Sequence, residues 1–297
     1  MNTFELPLSW SREGTAGAVD WRPLPLHTGG QFIHAPRVGA GVTQENLKEQ
    51  LELLGKEGPV VAQGLDAAQV KALGAEDGAV LIGSSARITL TGYRPPHKVR
   101  NLARRAAEAI AEEVPPATSG PLQDELELAA RGGLATLRYV FRARVEDADR
   151  AFVVRAAGKA AGLVTLTQTG GGAWHIEVMV RHPEAPDGAM ELLLSHVVDV
   201  LQREAQLRLD LGQVAFFVED AAKEGLGALN RALLAAVPAA VAATGSRFNF
   251  EGLRRFKNKF EVEWVPRYFA GWPRLRRRDL RAACDASDLG QFIRLGW

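Results

Sequence analysis

Apolar residues recur along the chain with two alternating periods, and this alternation predicts a mixed α/β protein. Stretches with leucine every three to four positions, such as Leu47, Leu51 and Leu54, predict amphipathic helices. Short runs of valine, isoleucine and alanine between glycines or prolines predict buried strands. The predicted helices are at 43–57, 67–73, 98–113, 121–130, 188–205 and 249–260, and the predicted strands are at 59–62, 78–82, 85–90, 135–144, 150–156, 162–169, 174–180 and 207–211.

The ends of the pattern are less regular, and its second half has a distinctive order. Residues 1–37 show no sustained period, which predicts an irregular or edge-strand lead-in. Residues 261–271 alternate bulky and charged side chains around Pro266, which predicts an exposed strand or strand pair. Between them, three strands, a Pro-Gly loop, a helix and a strand follow the order of a GNAT-type acyltransferase.

We therefore expect an α/β (α+β) fold built from two tandem GNAT-like acyltransferase lobes, each a mixed sheet flanked by helices. The segment PPATSG at 115–120 is a plausible linker by composition. The predicted lobes are an N-terminal one at 1–118 and a C-terminal one at 119–297.

Charge does not predict a nucleic acid or membrane partner for the molecule as a whole. The 36 Lys and Arg residues nearly balance the 35 Asp and Glu residues, so the formal net charge is only +1. Residues 254–281 carry ten basic and three acidic residues, which is either a local binding patch or a solvated surface.

Several classes of protein are not expected. The longest apolar run, 232–243, is too short to span a bilayer and is interrupted by Pro238. The first residues do not resemble a signal peptide, so we expect a cytoplasmic protein. The single cysteine, Cys284, excludes an intrachain disulfide and a cysteine-based zinc site, and the histidines show no metal-binding spacing, so no metal is expected.

Residues 250–273, FEGLRRFKNKFEVEWVPRYFAGWP, combine cations, aromatics and a turn proline at a spacing that core packing does not require. The segment resembles the C-terminal signature of the lysyl-phosphatidylglycerol synthase (phosphatidylglycerol lysyltransferase) catalytic domain. That signature is an aromatic-Lys-x-Lys-Phe segment followed by Trp and Pro-Arg-Tyr. The matching residues are Phe256, Lys257, Lys259, Phe260, Trp264, Pro266, Arg267 and Tyr268.

Further segments resemble the same family, in the same order. IEVMVRHPEAPDGAMELLL at 176–194 is similar to an acidic-Leu-Met-Arg segment followed by a Pro-x-Ala-Pro-Asn-Gly-x-Met-acidic-Leu loop. Leu211 and Gly212 match a Leu-Gly-Met-Ala-Pro run more weakly, and a basic helix at 91–109 also fits. Val180 replaces the usual Arg, and 213–215 replace Met-Ala-Pro. The resemblance covers most of 75–273.

The resemblance implies an aminoacyl-tRNA donor, whose amino acid is already activated as an ester. Transfer from such a donor requires positioning, proton removal and stabilisation of an oxyanion, without a cofactor. It implies Lys257, Arg267 and Tyr268 as catalytic residues, with the cations on the tRNA acceptor end or the developing anion. The implied substrate-binding residues are Glu177, Asp187, Gly188, Glu191, Gly212, Lys259 and Trp264, one of the three carboxylates binding the donor's α-ammonium.

The acceptor and two other functions stay open at this point. The acceptor is a lipid, a peptide or a small molecule, and a peripheral contact with anionic membrane lipid is among the alternatives. An acyl-CoA-dependent N-acyltransferase would hold its donor at the loop 181–188, although that loop is acidic. The third alternative is a catalytically silent module that binds RNA or acts as a scaffold. Glu177 could also form a buried ion pair with Arg267, and Trp264 could simply be a core residue.

Overall fold

The computed structural model describes residues 4–131, 141–223, 230–231, 234–235 and 250–287. Within these ranges the strands are β1 (Val19–Asp20), β2 (Pro23–Pro25), β3 (Gln31–Ile33), β4 (Arg37–Val38), β5 (Val60–Leu65), β6 (Val80–Thr89), β7 (Ile110–Val114), β8 (Arg150–Ala156), β9 (Lys159–Gly170), β10 (Ala173–Arg181), β11 (Arg208–Ala215) and β12 (Glu263–Trp272). The helices are α1 (Gln44–Glu57), α2 (Ala67–Ala72), α3 (His97–Arg105), α4 (Gly120–Arg131), α5 (Ala189–Arg203), α6 (Asp220–Lys223), α7 (Phe250–Asn258) and α8 (Arg277–Ala286).

Ten of these strands form one mixed sheet, in the order β2-β3-β5-β12-β6-β11-β10-β9-β8-β7. The pairs β3–β5 and β10–β11 are parallel, and the other neighbours are antiparallel. The predicted class, an α/β fold with a mixed sheet flanked by helices, is confirmed. Strand β12 comes last in the sequence but lies between β5 and β6, so the order of the strands in the sheet does not follow their order in the chain. The lobe boundary near residue 118 stays a prediction.

The predicted GNAT-type order is present in the second half of the sheet. The strands β8, β9 and β10 are followed by a loop, by α5 and by β11. Helix α5 buries Leu193, Leu194, Val197 and Leu201 against this part of the sheet, at the three- and four-residue spacing of one helix face. This packing holds α5 against β7, β8 and β9.

The helices begin where the sequence supplies capping groups. The Thr43 side chain accepts a hydrogen bond from the backbone N–H of Asn46, and the Asn46 side-chain oxygen accepts one from the backbone N–H of Thr43, so α1 starts with a capping box. Asp66 and Gln69 cap α2 in the same way. None of the helices in the described ranges is long and apolar enough to cross a lipid bilayer.

Three predicted elements differ from the structure. The predicted helix at 98–113 ends at Arg105, and its second half is strand β7, because pairing with β8 outweighs local helix propensity. The predicted exposed strand at 261–271 is instead a central strand, and Pro266 is tolerated because pairing with β5 begins only at Tyr268. Of the predicted strand 135–144, residues 135–140 lie outside the described ranges and 141–144 are not in a strand.

Candidate active site

The site begins where two parallel strands part. β10 and β11 pair from Ala173 opposite Arg208 to His175 opposite Asp210, and beyond this point the described pairing of β10 is with β9 and that of β11 is with β6. β11 is irregular after Asp210, and Gly212 adopts φ +89° there. Parting strands leave backbone groups available to a ligand. Polar side chains gather at this divergence.

Asp210 is held at the divergence by a set of buried donors. Its Oδ2 accepts hydrogen bonds from Ser85 Oγ at 2.6 Å and from Arg267 Nη2 at 3.0 Å. Its Oδ1 accepts one from the amide of Gly212 at 2.9 Å. Burial alone would raise the pKa of Asp210, but the neighbouring His175, Arg267 and Ser85 outweigh it and hold the pKa well below its ordinary value. Asp210 is therefore a permanent anion at the site.

Arg267 is fully buried and has a partner on each guanidinium nitrogen. Nε donates to Ser85 Oγ at 2.8 Å, Nη1 to the carbonyl of Gly64 at 3.3 Å, and Nη2 to Asp210. Asp66 adds a second carboxylate, 3.8 Å from Nη1. These contacts join β12, β6, β5 and β11, so Arg267 orients Asp210 and fastens four strands together.

His175 lies between two carboxylates on the same face. Its Nδ1 is 3.7 Å from Asp210 Oδ1, and its Nε2 is 3.7 Å from Glu177 Oε2. Both distances are longer than a hydrogen bond, and Nδ1 is a buried atom without a hydrogen-bond partner in the described part of the chain. The ring thus lies between the two acids, 3.7 Å from each.

Glu177 is buried, and its two oxygens have different surroundings. Oε2 accepts hydrogen bonds from Ser9 Oγ at 2.8 Å and from the backbone amide of Arg142 at 3.0 Å. Oε1 is buried and has no hydrogen-bond partner among the described residues. A buried carboxylate oxygen without a partner is costly, so it marks a place where a ligand cation or donor would fit.

Lys257 reaches the divergence from α7. Its Nζ donates to the carbonyl of Gly212 at 2.7 Å and lies 3.4 Å from the carbonyl of Gln213. Burial lowers the pKa of Lys257 to about 7, although the charge of Asp210 acts in the opposite direction. At neutral pH this amine therefore exchanges readily between its charged and neutral forms, as an acid–base or anion-stabilising group must.

A second, less buried pair lies at the start of α5. Lys259 Nζ contacts Glu191 Oε1 at 2.7 Å and lies 5.2 Å from the centre of the Phe256 ring. Glu191 is buried in the first turn of α5, and Lys259 is partly exposed. Lys257 and Lys259 are two residues apart, so they link the divergence to this more open pair.

The structure gives the other predicted site residues different surroundings. Asp187 is exposed on the loop before α5, and Gly188 caps that helix with φ +89°. Tyr268 is half-buried, pairs in the sheet with Leu65 and Leu81, and burial raises its pKa. Trp264 packs edge-on against Phe217 with ring centres 4.6 Å apart, and its Nε1 donates to Asn258. Their functional roles stay predictions.

Sequence reasoning missed several contributors to the buried cluster. Asp210, His175 and Ser9 were not among the predicted site residues, and the ion pair suggested between Glu177 and Arg267 is wrong because Arg267 pairs with Asp210. The sequence did contain a signal for Asp210, which lies between two leucines in a predicted strand. As with Glu177, a carboxylate in an apolar strand is costly to bury and indicates a partner or a function. No sequence pattern pointed to Ser9, which lies 168 positions from Glu177.

Comparison with known protein families identifies the family of this chain. The model for the family "Phosphatidylglycerol lysyltransferase, C-terminal" matches residues 75–271, which is more than half of the sequence. The chain belongs to this family. The segment matched by this lysyltransferase family includes every predicted site residue, from Glu177 to Tyr268. Ser9 lies before the matched segment. Among curated proteins, none matches the sequence.

Solved structures share the fold of this family member at low sequence identity. L-PGS from Bacillus licheniformis is 15% identical with a TM-score of 0.64, and the match covers 92% of this chain and 90% of that one. The C-terminal domain of a putative lysylphosphatidylglycerol synthetase from Agrobacterium fabrum is 19% identical with a TM-score of 0.58, covering 91% and 88%. FemX is 10% identical with a TM-score of 0.50, covering 83% and 81%.

Proposed function

We propose that this chain is an aminoacyltransferase that takes its aminoacyl group from aminoacyl-tRNA and passes it to a hydroxyl or amine of an acceptor. The observation that carries the proposal is the buried, unpartnered Oε1 of Glu177 in the described structure of a phosphatidylglycerol lysyltransferase family member. An α-ammonium group is a donor of the right charge for that oxygen. Glu177 would therefore select the donor's amino acid by its free amine.

The reaction needs little chemistry from the protein because the ester is already activated. The acceptor's oxygen or nitrogen forms a bond to the carbonyl carbon and gives up its proton, and the carbon–oxygen bond to the ribose then breaks as that oxygen takes a proton. Lys257 has two carbonyl partners, so its ammonium form keeps a third N–H for the oxyanion formed between these events. The position of Lys257 beside Gly212 supports this role best.

Gly212 connects the two proposed binding groups. A Cβ atom at this position would lie 3.4 Å from Lys257 Nζ and 3.8 Å from the Cε1 atom of His175. The Lys257 amine and the His175 ring therefore both lie within 4 Å of the same point beside Gly212. A substrate ester seated at the divergence would place its carbonyl near the amine and its α-ammonium towards Glu177.

Coenzyme A as the donor has less support from the loop before α5. The side chains of Glu184 and Asp187 are exposed there, and acidic groups repel a diphosphate. A Cβ atom at Gly188 would collide with the carbonyl of Leu102 in α3. The first turn of α5 thus faces another backbone oxygen, which is a poor neighbour for an anion.

The test is a transfer assay with the purified protein. The assay supplies a pool of radiolabelled aminoacyl-tRNAs as donors. One series offers vesicles containing phosphatidylglycerol as the acceptor, because the name of the family suggests this lipid. A parallel series offers a pool of soluble amines and peptides. Labelled acetyl-CoA replaces the donor in a second series. We expect label to move from one aminoacyl-tRNA to one acceptor fraction. Acetyl transfer without aminoacyl transfer would support the acyl-CoA alternative and contradict the proposal.

The matched variant for this assay is Glu177→Gln. The Gln oxygen can still accept from Ser9 and the Arg142 amide, while its NH2 group replaces the unpartnered Oε1. We expect at least a hundredfold loss of kcat/KM, equivalent to about 2.7 kcal/mol of transition-state stabilisation, with a melting temperature close to that of the wild type. A variant that folds and retains full activity would exclude Glu177 from donor binding.

A further inference from the structure

His175 is a buried titratable residue at the divergence to which the proposed mechanism gives no role. Its side chain is 5% exposed, and it lies on β10 where that strand still pairs with β11. Imidazole both accepts and donates protons near neutral pH. The reaction needs such a group, because the acceptor must lose a proton and the leaving ribose oxygen must gain one.

The other titratable groups that the described structure places at the divergence are engaged in other tasks. Asp210 is too weak a base, because its pKa lies well below the ordinary value. Lys257 donates to two backbone carbonyls, and the ammonium form that stabilises the oxyanion has no lone pair. Glu177 is occupied by the donor's α-ammonium under the proposed function. Arg267 stays protonated and has a partner on each nitrogen.

The two carboxylates beside the imidazole favour one of its tautomers. Nδ1 is 3.7 Å from Asp210 Oδ1, and Nε2 is 3.7 Å from Glu177 Oε2. Glu177 Oε2 already accepts two hydrogen bonds, whereas Asp210 Oδ1 accepts one. Since a carboxylate oxygen has two lone pairs, Oδ1 of Asp210 has one left for an N–H and Oε2 of Glu177 has none. The proton of the neutral ring is therefore favoured on Nδ1, which leaves the lone pair on Nε2.

Asp210 is held in place for contact with the ring. Its hydrogen bonds from Ser85, Arg267 and Gly212 come from β6, β12 and β11. A carboxylate fixed from three strands can orient an imidazole and stabilise an imidazolium without moving itself.

The ring also lies beside the place proposed for the ester carbonyl. A Cβ atom at Gly212 would be 3.8 Å from Cε1 of His175 and 3.4 Å from Nζ of Lys257. Cε1 is bonded to both ring nitrogens, so Nε2 is close to the same small volume as the Lys257 amine. The two groups can therefore serve the nucleophile and the oxyanion of one tetrahedral centre.

We propose that His175 is the general base and general acid of aminoacyl transfer, oriented by Asp210. This inference rests on the proposed function. Nε2 accepts the proton of the acceptor's hydroxyl or amine as the acceptor's oxygen or nitrogen bonds to the carbonyl carbon. The imidazolium then gives this proton to the ribose oxygen as the carbon–oxygen bond of the ester breaks. The proton is returned, so no further reactant is needed.

The distance from Nδ1 to Asp210 is compatible with this role. At 3.7 Å it is longer than a hydrogen bond. Catalytic hydrogen bonds are often long in an enzyme without substrate and shorten in the complex with substrate.

The first experiment locates the proton of His175 and needs no substrate. Long-range proton–nitrogen NMR spectra of protein with isotope-labelled histidine distinguish a protonated ring nitrogen from one with a lone pair. The signals of His175 are those lost in His175→Gln, or in His175→Asn if the glutamine variant does not fold. In the neutral ring we expect the proton on Nδ1 and the lone pair on Nε2. A neutral ring with its proton on Nε2 would overturn the inference.

The second experiment compares two acceptors that differ in their need for a base. One is the acceptor, phosphatidylglycerol vesicles or the soluble pool, that takes label in the transfer assay. The other is hydroxylamine, which attacks esters at neutral pH as a free amine, and its uncatalysed reaction is subtracted. The variants are His175→Gln and, as the matched control, His196→Gln. His196 is on α5 and packs against Phe152 with ring centres 6.1 Å apart.

The expected loss depends on the acceptor. His175→Gln should lose at least about a hundredfold in kcat with the first acceptor and less than about fivefold with hydroxylamine, while KM for aminoacyl-tRNA stays within about threefold. The control should change neither rate. A similar loss with both acceptors would indicate a structural or binding role, and full activity with the first would place the base elsewhere; either result would overturn the inference. Absence of transfer by the wild type to every acceptor would instead reject the proposed function.

Discussion

At the scale of single residues, the candidate site depends on how each buried charge is held. Asp210 and Arg267 satisfy each other and their neighbours, so their first role is to build the site. Glu177 is satisfied on only one oxygen, and Lys257 keeps a donor in reserve. A residue with unused hydrogen-bonding capacity in a buried place is a better candidate for substrate contact than one that is fully paired.

Ser9 provides the first prediction. This buried residue has φ +66°, a conformation that favours glycine, while its hydroxyl donates to Glu177. Ser9→Gly should relieve the strain but lose the hydrogen bond, so we expect a free energy of unfolding within about 1 kcal/mol of the wild type. We expect kcat/KM for the aminoacyl donor to fall about tenfold, or about 1.4 kcal/mol.

The comparison for Ser9 is Ser9→Ala, which loses the hydroxyl and keeps the strained backbone. It should show the same kinetic loss and be less stable than the glycine variant by about 1 kcal/mol. If the glycine variant had the kinetics of the wild type, Ser9 would have no part in orienting Glu177.

Lys257 provides a prediction about stability and pH. Its pKa is lowered from 10.5 to about 7 by burial, so between these values the unfolded chain binds more protons than the folded one. The contribution of Lys257 to the free energy of unfolding of the wild type therefore increases as pH rises from about 7 to 10.5. Below about pH 7 the folded protein carries the full penalty for the buried charge. Lys257→Met should accordingly stabilise the protein more at pH 6 than at pH 9.5.

The measurement for Lys257 is denaturant unfolding of both proteins at the two pH values. Groups that titrate equally in both proteins cancel in the difference, so the change with pH reports position 257 alone. A difference between the two proteins that stays constant from pH 6 to 9.5 would mean that Lys257 titrates normally in the folded state.

At the scale of secondary structure elements, the contact of α3 with the start of α5 organises the open side of the site. Gly188 permits it, because it has φ +89° and faces the carbonyl of Leu102 without a side chain. Gly188→Ala should lose about 1 kcal/mol for the backbone conformation and about 1–3 kcal/mol more for the collision.

Gly158 supplies a control for Gly188. It also has a positive φ, +76°, and a Cβ atom there would meet nothing within 4 Å. Gly158→Ala should therefore show only the backbone penalty in denaturant unfolding. If both alanine variants lost the same stability, the close approach of α3 and α5 would not be a real constraint.

The elements also show what periodicity can and cannot predict. The spacing of leucines in α1 and α5 reports a single buried face, so both helices were predicted correctly. The segment that includes Ile110 has helix-forming residues, but it becomes β7 because β8 offers a partner that lies distant in sequence. Strand β12 was predicted as exposed because nothing local indicates that β5 and β6 flank it.

At the scale of the whole molecule, one continuous sheet brings distant segments to the site. The resemblance of its motifs led to Glu177, Gly212, Lys257 and Arg267, and the structure gathers these four where β10 and β11 part. Ser9 could not be predicted with them because only the folded chain brings its segment there: the amide of Leu6 donates to Thr169, and that of Leu8 to Gly64. Long-range placement of this kind leaves no periodic trace in a sequence.

The central claim is that Glu177 binds the α-ammonium of an aminoacyl group. It is tested most directly by calorimetric binding of a stable aminoacyl-adenosine amide and of the same compound without its α-amino group, to the wild type and to Glu177→Gln. We predict that the wild type binds the amino compound at least tenfold more tightly, by about 1.4 kcal/mol, and that Glu177→Gln loses this preference. Equal affinity of the wild type for the two compounds would contradict the claim.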